Sequence, residues 1–439
     1  MFEKKIIKTI FKYSFPNVLS MWVFTLYTMV DAIFVSRFVG ELGLAGVNLT
    51  FPLINLIFAI SIMLGVGSST LISIKFGEEK FEEANKLLTL ASLVNLFLGL
   101  FITFIVLFKL ENVINILGVN REQEVYSYLK DYLSTIILFS FFYTLGYAFE
   151  IYIKIDGRPS YPLVCVLIGG ISNIFLDYLL IVVFSYGIKG AAIATGISQI
   201  ITCSMLFFYI QFKAKFIKFS KIKKENLKKV FLFSKFGFSE FITEISTGLL
   251  ILMYNLIILA KIGINAVSIF GLISYVTSFI VMTMIGFSQG IQPIISYNLG
   301  KKNYFNLKAI LKISILIITF LGLFFFFFIN YFSNDIAKIF FKEKDFITKA
   351  ESTLRIYSLY YLILGINIFI ASYFTAIKRV FYSALITFPR GILFNALFLA
   401  LLPEYWGENG IWLSPFFSEF VTLFISLYLL IKIKNQNFT

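Results

Sequence analysis

Twelve long apolar runs, each followed by a short polar break, recur along the 439 residues. They fall near 13–36, 46–74, 87–108, 126–152, 161–184, 189–212, 236–260, 264–298, 307–331, 350–375, 382–402 and 410–431, bounded by charge, Gly, Pro and Asn. A spanning helix needs about 20 mostly apolar residues, so each run predicts one crossing of a bilayer. The second and eighth are longer than a bilayer requires and predict tilt or protrusion. The expected fold is all-α and integral to the membrane, with twelve transmembrane helices and no large soluble domain. Composition agrees: 14% of residues are charged, against about 25% in soluble chains.

The polar minority excludes several chemistries. There is no His, so Ser-His-Asp catalysis and His-ligated metal sites are ruled out. Cys165 and Cys203 sit inside apolar runs without paired-ligand spacing and read as inert core thiols. No cofactor is expected, and no nucleophile–base pair suggests an intramembrane enzyme.

The net charge of +14 would in a soluble protein suggest nucleic acid, but its placement says otherwise. With the N-terminus assigned to the cytoplasm, 26 of the 38 Lys and Arg fall on the inner side, 11 on the outer side, and Arg390 inside the eleventh run. The positive-inside rule then puts both termini in the cytoplasm, and no nucleic-acid partner is expected. The densest run, Lys213 to Lys235, has nine lysines against Glu225 alone. It reads either as a solvated linker or as a basic helix on anionic lipid. Lys4 and Lys5 before a long apolar run resemble a signal peptide, but no small-residue cleavage site follows, so a retained first span is expected.

The two halves match at offsets of 220 to 223 residues. Ser73, Gly77, Phe81 and Gly99 align with Ser296, Gly300, Tyr304 and Gly322, and Gly67 with Gly290. Tyr152, Arg158, Tyr161 and Gly170 align with Tyr373, Arg379, Tyr382 and Gly391; Gly187, Gly190, Ser198 and Thr202 align with Gly407, Gly410, Ser418 and Thr422. A duplicated unit with an even number of spans gives two parallel six-helix repeats, expected as lobes around a central cavity. The predicted organisation is a six-helix lobe over 1–212, a basic cytoplasmic linker over 213–235 and a second six-helix lobe over 236–439. Such symmetry argues for a transporter without identifying the cargo.

Ionisable groups inside a span are costly and therefore functional candidates. Asp31 lies roughly 27 Å of helix, and Asp177 roughly 24 Å, from the cytoplasmic side, both in the outer half. Asn173 is one turn before Asp177, and Thr195 lies roughly 9 Å down the sixth span from the outer side. These four oxygen-bearing side chains converge at similar depth, enough to bind a proton or a hard cation such as Na⁺. Two carboxylates there cannot both stay charged cheaply, and coupling by protonation follows. In the second half, Glu244 is the deeper of two acids one turn apart; Glu240, about 6 Å deep, reads as meeting Lys235 or water. Arg390 and Glu419 either pair or line the cavity.

With these residues the chain resembles the MATE multidrug exporters. The first likeness is S14-F-P-N followed by V30-D-A-I-F-V-S-R-F-V-G-E-L-G. The second is N173-I-F-L-D177 with G187-I-K-G-A-A-I-A-T195-G-I-S-Q199, and the third G286-F-S-Q-G-I-Q-P293-I-I-S-Y-N298-L-G300. The resemblance implies a secondary active antiporter in the bacterial cell membrane, exporting organic cations or amphipathic drugs in exchange for H⁺ or Na⁺ by alternating access. It also implies that Asp31, Asn173, Asp177 and Thr195 form the cation site, with no other metal site, and that Pro16 bends the first helix. Relatives with a second-lobe Na⁺ site use acids on both the seventh and tenth helices, whereas the tenth span here offers Asn367. Tyr27, Met282, Met284, Gln289 and Gln292 are candidates to face the cavity, beside the alternative of plain packing. A single chain is expected to work as a monomer. The competing reading, a lipid-linked saccharide flippase of the same superfamily, calls for an Arg-rich cavity, and Arg390 stands alone. A passive channel draws little support from a two-lobe repeat.

Overall fold

The computed structural model describes residues 2–222 and 224–435, so Lys223 of the basic run lies outside the described residues. The first half contains α1 (Phe2–Phe34), α2 (Glu41–Gly77), α3 (Phe81–Phe108), the short α4 (Leu110–Ile116), α5 (Val125–Ile136), α6 (Ser140–Ile155), α7 (Ser160–Asp177) and α8 (Gly187–Phe208). The second contains α9 (Val230–Lys261), α10 (Ile264–Gly300), α11 (Tyr304–Phe340), α12 (Lys344–Ser358), α13 (Tyr361–Ala376), α14 (Val380–Phe388), α15 (Phe394–Trp406) and α16 (Glu408–Asn435). Among the described residues, eleven helical segments are long and apolar enough to cross a membrane, and α12 with α13, bent by 42°, makes a twelfth if counted as one span. The protein is an all-α, multi-span membrane protein.

Several spans depart from a simple rod for identifiable reasons. α5 and α6 are one span tightened at Ile137–Phe139. There Thr103 of α3 donates to the Ile137 carbonyl at 2.8 Å and Ser140 donates to the Gly99 carbonyl at 3.0 Å, so side chains intrude on the helical ladder. The tenth span breaks at Leu359 and Tyr360, where Leu359 N–H and Tyr360 N–H turn back to the carbonyls of Ile356 and Tyr357. The segment before the break, KDFITKAESTLRIYS, is too polar for hydrocarbon, which is why the apolar run alone predicted only part of it. Wide π-type turns extend α1 (Val35–Val39), α7 (Tyr178–Val183) and α8 (Tyr209–Lys213), and Pro389–Leu393 joins α14 to α15.

The duplication is written into the backbone as well as the sequence. Positive φ recurs at matched positions: Gly40 (99°) and Gly263 (116°), Glu79 (62°) and Lys302 (55°), Gly157 (86°) and Lys378 (64°), Gly187 and Gly407 (56° each). These pairs stand 220 to 223 residues apart, and α2 and α10 are both 37 residues long. Two matched glycines do matched work. A Cβ on Gly67 of α2 would lie 1.9 Å from the Phe233 carbonyl oxygen at the start of α9, and one on Gly237 of α9 would lie 1.8 Å from the Met63 carbonyl oxygen. A Cβ on Gly290 of α10 would lie 2.8 Å from Tyr13 O and Ser14 Cα of α1. Only a missing side chain lets the backbones cross so closely.

The described chain separates into two compact units. Leu19–Gly237 forms one, and the remainder, including the first turns of α1 with Phe238 onward, forms the other. α1 thus passes from one unit to the other two residues after Pro16, while remaining one unbroken helix. The start of α9, as far as Gly237, belongs to the unit of the first half. The basic segment after α8 is not helical over residues 214–222. Its backbone N–H groups at Lys215, Phe216 and Ile217 all donate to the buried carboxylate of Asp156 (2.7–3.2 Å), which also accepts from the Tyr209 hydroxyl at 2.8 Å. Asn85 of α3 accepts from Lys218 N–H at 2.9 Å, and Thr89 from Ser220 N–H at 2.8 Å. Of the two readings of this run, the helical one fails over residues 214–222, because Asp156, Asn85 and Thr89 take up the backbone N–H groups there.

Candidate cation and substrate site

Gly170, Asn173 and Asp177 share one face of α7 at helical spacing. Gly170 gives room to the Tyr27 ring of α1, 3.2 Å from where a Cβ would stand. One turn beyond Tyr27, Asp31 stands within electrostatic range of Asp177. Asn173 Nδ2 donates to Thr195 Oγ1 of α8 at 3.4 Å. All four lie in the Leu19–Gly237 unit.

The polar inventory of this cluster does not close. Asp177 and Asn173 are fully buried. Both oxygens of Asp177, Oδ1 of Asp31 and Oδ1 of Asn173 are buried without a hydrogen-bond partner. Among the described residues, no Lys or Arg forms an ion pair with either carboxyl. Buried polar atoms are nearly always satisfied in folded proteins, so four orphan oxygens in one place set this cluster apart from ordinary packing. The chemistry of the set, two carboxyls with an amide and a hydroxyl, is that of oxygen donors able to take a proton or a hard cation.

Toward the other end of the unit the polar residues give way to rings. Gln199 Nε2 donates to Tyr27 Oη at 3.4 Å. Tyr27 packs edge-on to Phe24, which stacks on Phe58, and Phe58 meets both Tyr143 and Tyr147 with centroids 5.2–5.3 Å apart. Tyr143, Tyr147, Glu150 and Lys154 follow one another down a face of α6. Glu150 and Lys154 form a buried pair at 3.4 Å, which reading the apolar run 126–152 missed. Its only signal was an i,i+4 acid and base at the run's end.

The second unit carries a different arrangement. Gln292 of α10 donates to Glu240 of α9 at 3.0 Å, so Glu240 is engaged inside the unit instead of meeting Lys235. Glu240, Thr243, Gln289, Ser372, Thr387 and Arg390 border a small cavity with room for about one water. Arg390 pairs through Nε with Glu419 at 2.9 Å, and Asn367 donates to the second oxygen of Glu419 at 2.6 Å. Of the two readings of Arg390 and Glu419, pairing is what the geometry shows. Glu244, one turn along α9 from Glu240, is half-buried. Met284 is fully buried in the core against Gly365, whereas Met282 is half-buried.

The protein is a secondary transporter, as comparison with known proteins shows. The MatE family model matches residues 16–179 and 242–401, well over half of the chain, and the chain belongs to that family. The multidrug export protein MepA of Staphylococcus haemolyticus (strain JCSC1435) is 24% identical over 441 residues, covering 99% of this chain and 95% of that protein. Among solved structures, the outward-facing conformation of a multidrug resistance MATE family transporter of the MOP superfamily superposes with a TM-score of 0.91. It is 22% identical, and the match covers 98% of this chain and 97% of the other. A mutant of the Vibrio cholerae MATE transporter VcmN gives a TM-score of 0.91 at 18% identity, covering 99% of each chain.

Proposed function

We propose that this protein is a cation-coupled multidrug exporter of the bacterial cell membrane, with both termini in the cytoplasm. In this reading the two parallel six-helix repeats, joined by the basic linker, are the lobes of a monomeric alternating-access antiporter. Asp31, Asn173, Asp177 and Thr195 bind the inward-moving H⁺ or Na⁺. The observation that carries the proposal is the set of four orphan oxygens on Asp31, Asn173 and Asp177. Export of multiple drugs is suggested by the printed function of the MepA relative and by the ring-lined face beside Tyr27, since aromatic faces attract organic cations. Pro16 fits a hinge because it removes one helical hydrogen bond near the point where α1 changes unit. Gln289, Gln292, Glu244 and Met282 are secondary candidates for substrate contact.

The flippase alternative gains no support, because the sole intramembrane Arg read from the sequence is spent on Glu419. Ethidium efflux from cells that persists unchanged in both Asp31→Asn and Asp177→Asn would sink the proposed coupling site; loss of efflux with normal membrane insertion is the expected result.

A further inference from the structure

At the end of the Leu19–Gly237 unit opposite the lysine-rich segment, an open pocket of about 420 Å³ lies among the ends of α1, α5 and α8 and the turn after α7. Phe38, Ser127, Tyr128 and Ser185 contribute to its wall. Asp131 of α5 and Lys189 of α8 are its charged lining residues, and they pair at 3.2 Å while staying about half exposed. The adjacent Lys130 belongs to a separate tie, with Glu111 at 3.3 Å.

The pocket stands over the carboxyls. Asp31 precedes Phe38 by seven residues and Asp177 precedes Ser185 by eight, roughly 10 Å of helix in each case. One apolar layer intervenes, made of Val35, Tyr132, Ile181 and Ile188, all buried. Tyr132 lies one turn below Tyr128 on α5 and within electrostatic range of both Asp31 and Asp177. Pocket, layer and carboxyls are thus stacked in one unit, each a helical turn or two from the next.

We propose that this pocket is the vestibule through which the coupling cation reaches Asp31 and Asp177, that Tyr132 and Ile188 gate its floor, and that the Asp131–Lys189 pair sets its affinity for cations. The inference rests on the reading of Asp31 and Asp177 as the cation site. With the pair intact the two charged lining residues offset each other. Unpairing either member leaves one net charge roughly 10 Å above the site, enough to change the local cation concentration by about two- to tenfold after screening.

The test uses the full-length protein in proteoliposomes with Ser127→Cys introduced. The native thiols, Cys165 and Cys203, are buried and stay unlabelled. A quaternary-ammonium methanethiosulfonate should raise the half-saturating concentration of the coupling cation by about two- to tenfold, and a sulfonate methanethiosulfonate should lower it, both without changing the maximal rate. Asp131→Asn should act like the positive label, Lys189→Gln like the negative one, and the charge-swapped pair like the native protein. Shifts of the same sign from both labels, or none after complete labelling, overturn the vestibule, as does failure of both Ser127→Cys and Ser185→Cys to label. Asp31→Asn, run alongside, separates the two ideas: coupled transport persisting in it overturns the carboxyl site, whereas its loss without signed shifts at the mouth overturns the vestibule alone.

Discussion

Glu419→Gln offers a quantitative test of how the second unit is held together. The Glu419 side chain is 2% exposed and that of Arg390 12%, with 2.9 Å between them, and Asn367 adds a 2.6 Å hydrogen bond to the same carboxyl. Removing one member of such a pair leaves an uncompensated buried charge, at a cost of about 3–5 kcal/mol. Glutamine keeps the shape and one acceptor, so the expected loss is at the lower end, about 3 kcal/mol. Arg390→Met should cost a similar amount, because it strands the carboxylate. The double variant Arg390→Met with Glu419→Gln strands no charge of the pair, and losing both members together avoids the cost of leaving either one unpaired. It should therefore be more stable than either single variant. Thermal unfolding of the detergent-solubilised protein reads all four species, and the coupling energy follows from the cycle. A double variant whose loss equals the sum of the two single losses would show that the pair is not energetically coupled and would refute the reasoning.

Three other outcomes follow from the geometry. Gly67→Ala and Gly290→Ala should each destabilise the protein by about 1–3 kcal/mol or more through overpacking, whereas Gly248→Ala, with open space around its Cβ position, should not; urea or thermal unfolding compares them. Asp156→Ala removes the acceptor of three backbone N–H groups and one hydroxyl, so tryptic cleavage at Lys213, Lys215 and Lys218 should accelerate in limited digestion. Glu111, on α4 between the third and fourth spans, is held down at about 2, first by the Tyr126 hydroxyl and then by Arg121 and Lys130. Because that folded value lies below the ordinary one, any stabilisation is present above about pH 4 and fades only as pH falls through about 2. Tyr126→Phe should raise the titration of Glu111, measured by carboxyl NMR, and leave behaviour between pH 5 and 8 unchanged.

What was legible in the sequence was whatever hydrocarbon enforces. Apolar runs marked the spans because a bilayer tolerates little else, and Asp31 and Asp177 stood out because charge there is expensive. The helix ends were less legible. α1 begins at Phe2, before its apolar run, since Lys4, Lys5, Lys8 and Lys12 are good helix formers that continue the turn into water. α11 likewise runs on through Asn334, Asp335 and Lys338 to Phe340. Partners across the fold were invisible: nothing in the linear pattern says that Asp156 holds the backbone of residues 215–217, or that Gln292 reaches Glu240. The passage of α1 from one unit to the other leaves no mark in the sequence, because a single continuous helix carries it. The Gly67 and Gly290 match reads in the sequence as a repeat; its cause, two close backbone crossings, lies in contacts far apart along the chain.

The central claim is that the carboxyls of Asp31 and Asp177 couple drug movement to a cation gradient. Purified protein in proteoliposomes, with pH and Na⁺ gradients imposed separately, tests it most directly. The native protein should drive ethidium against its gradient under one of the two, and Asp31→Asn and Asp177→Asn should lose that drive while still binding ethidium. Undiminished gradient-driven transport in both variants would contradict the claim.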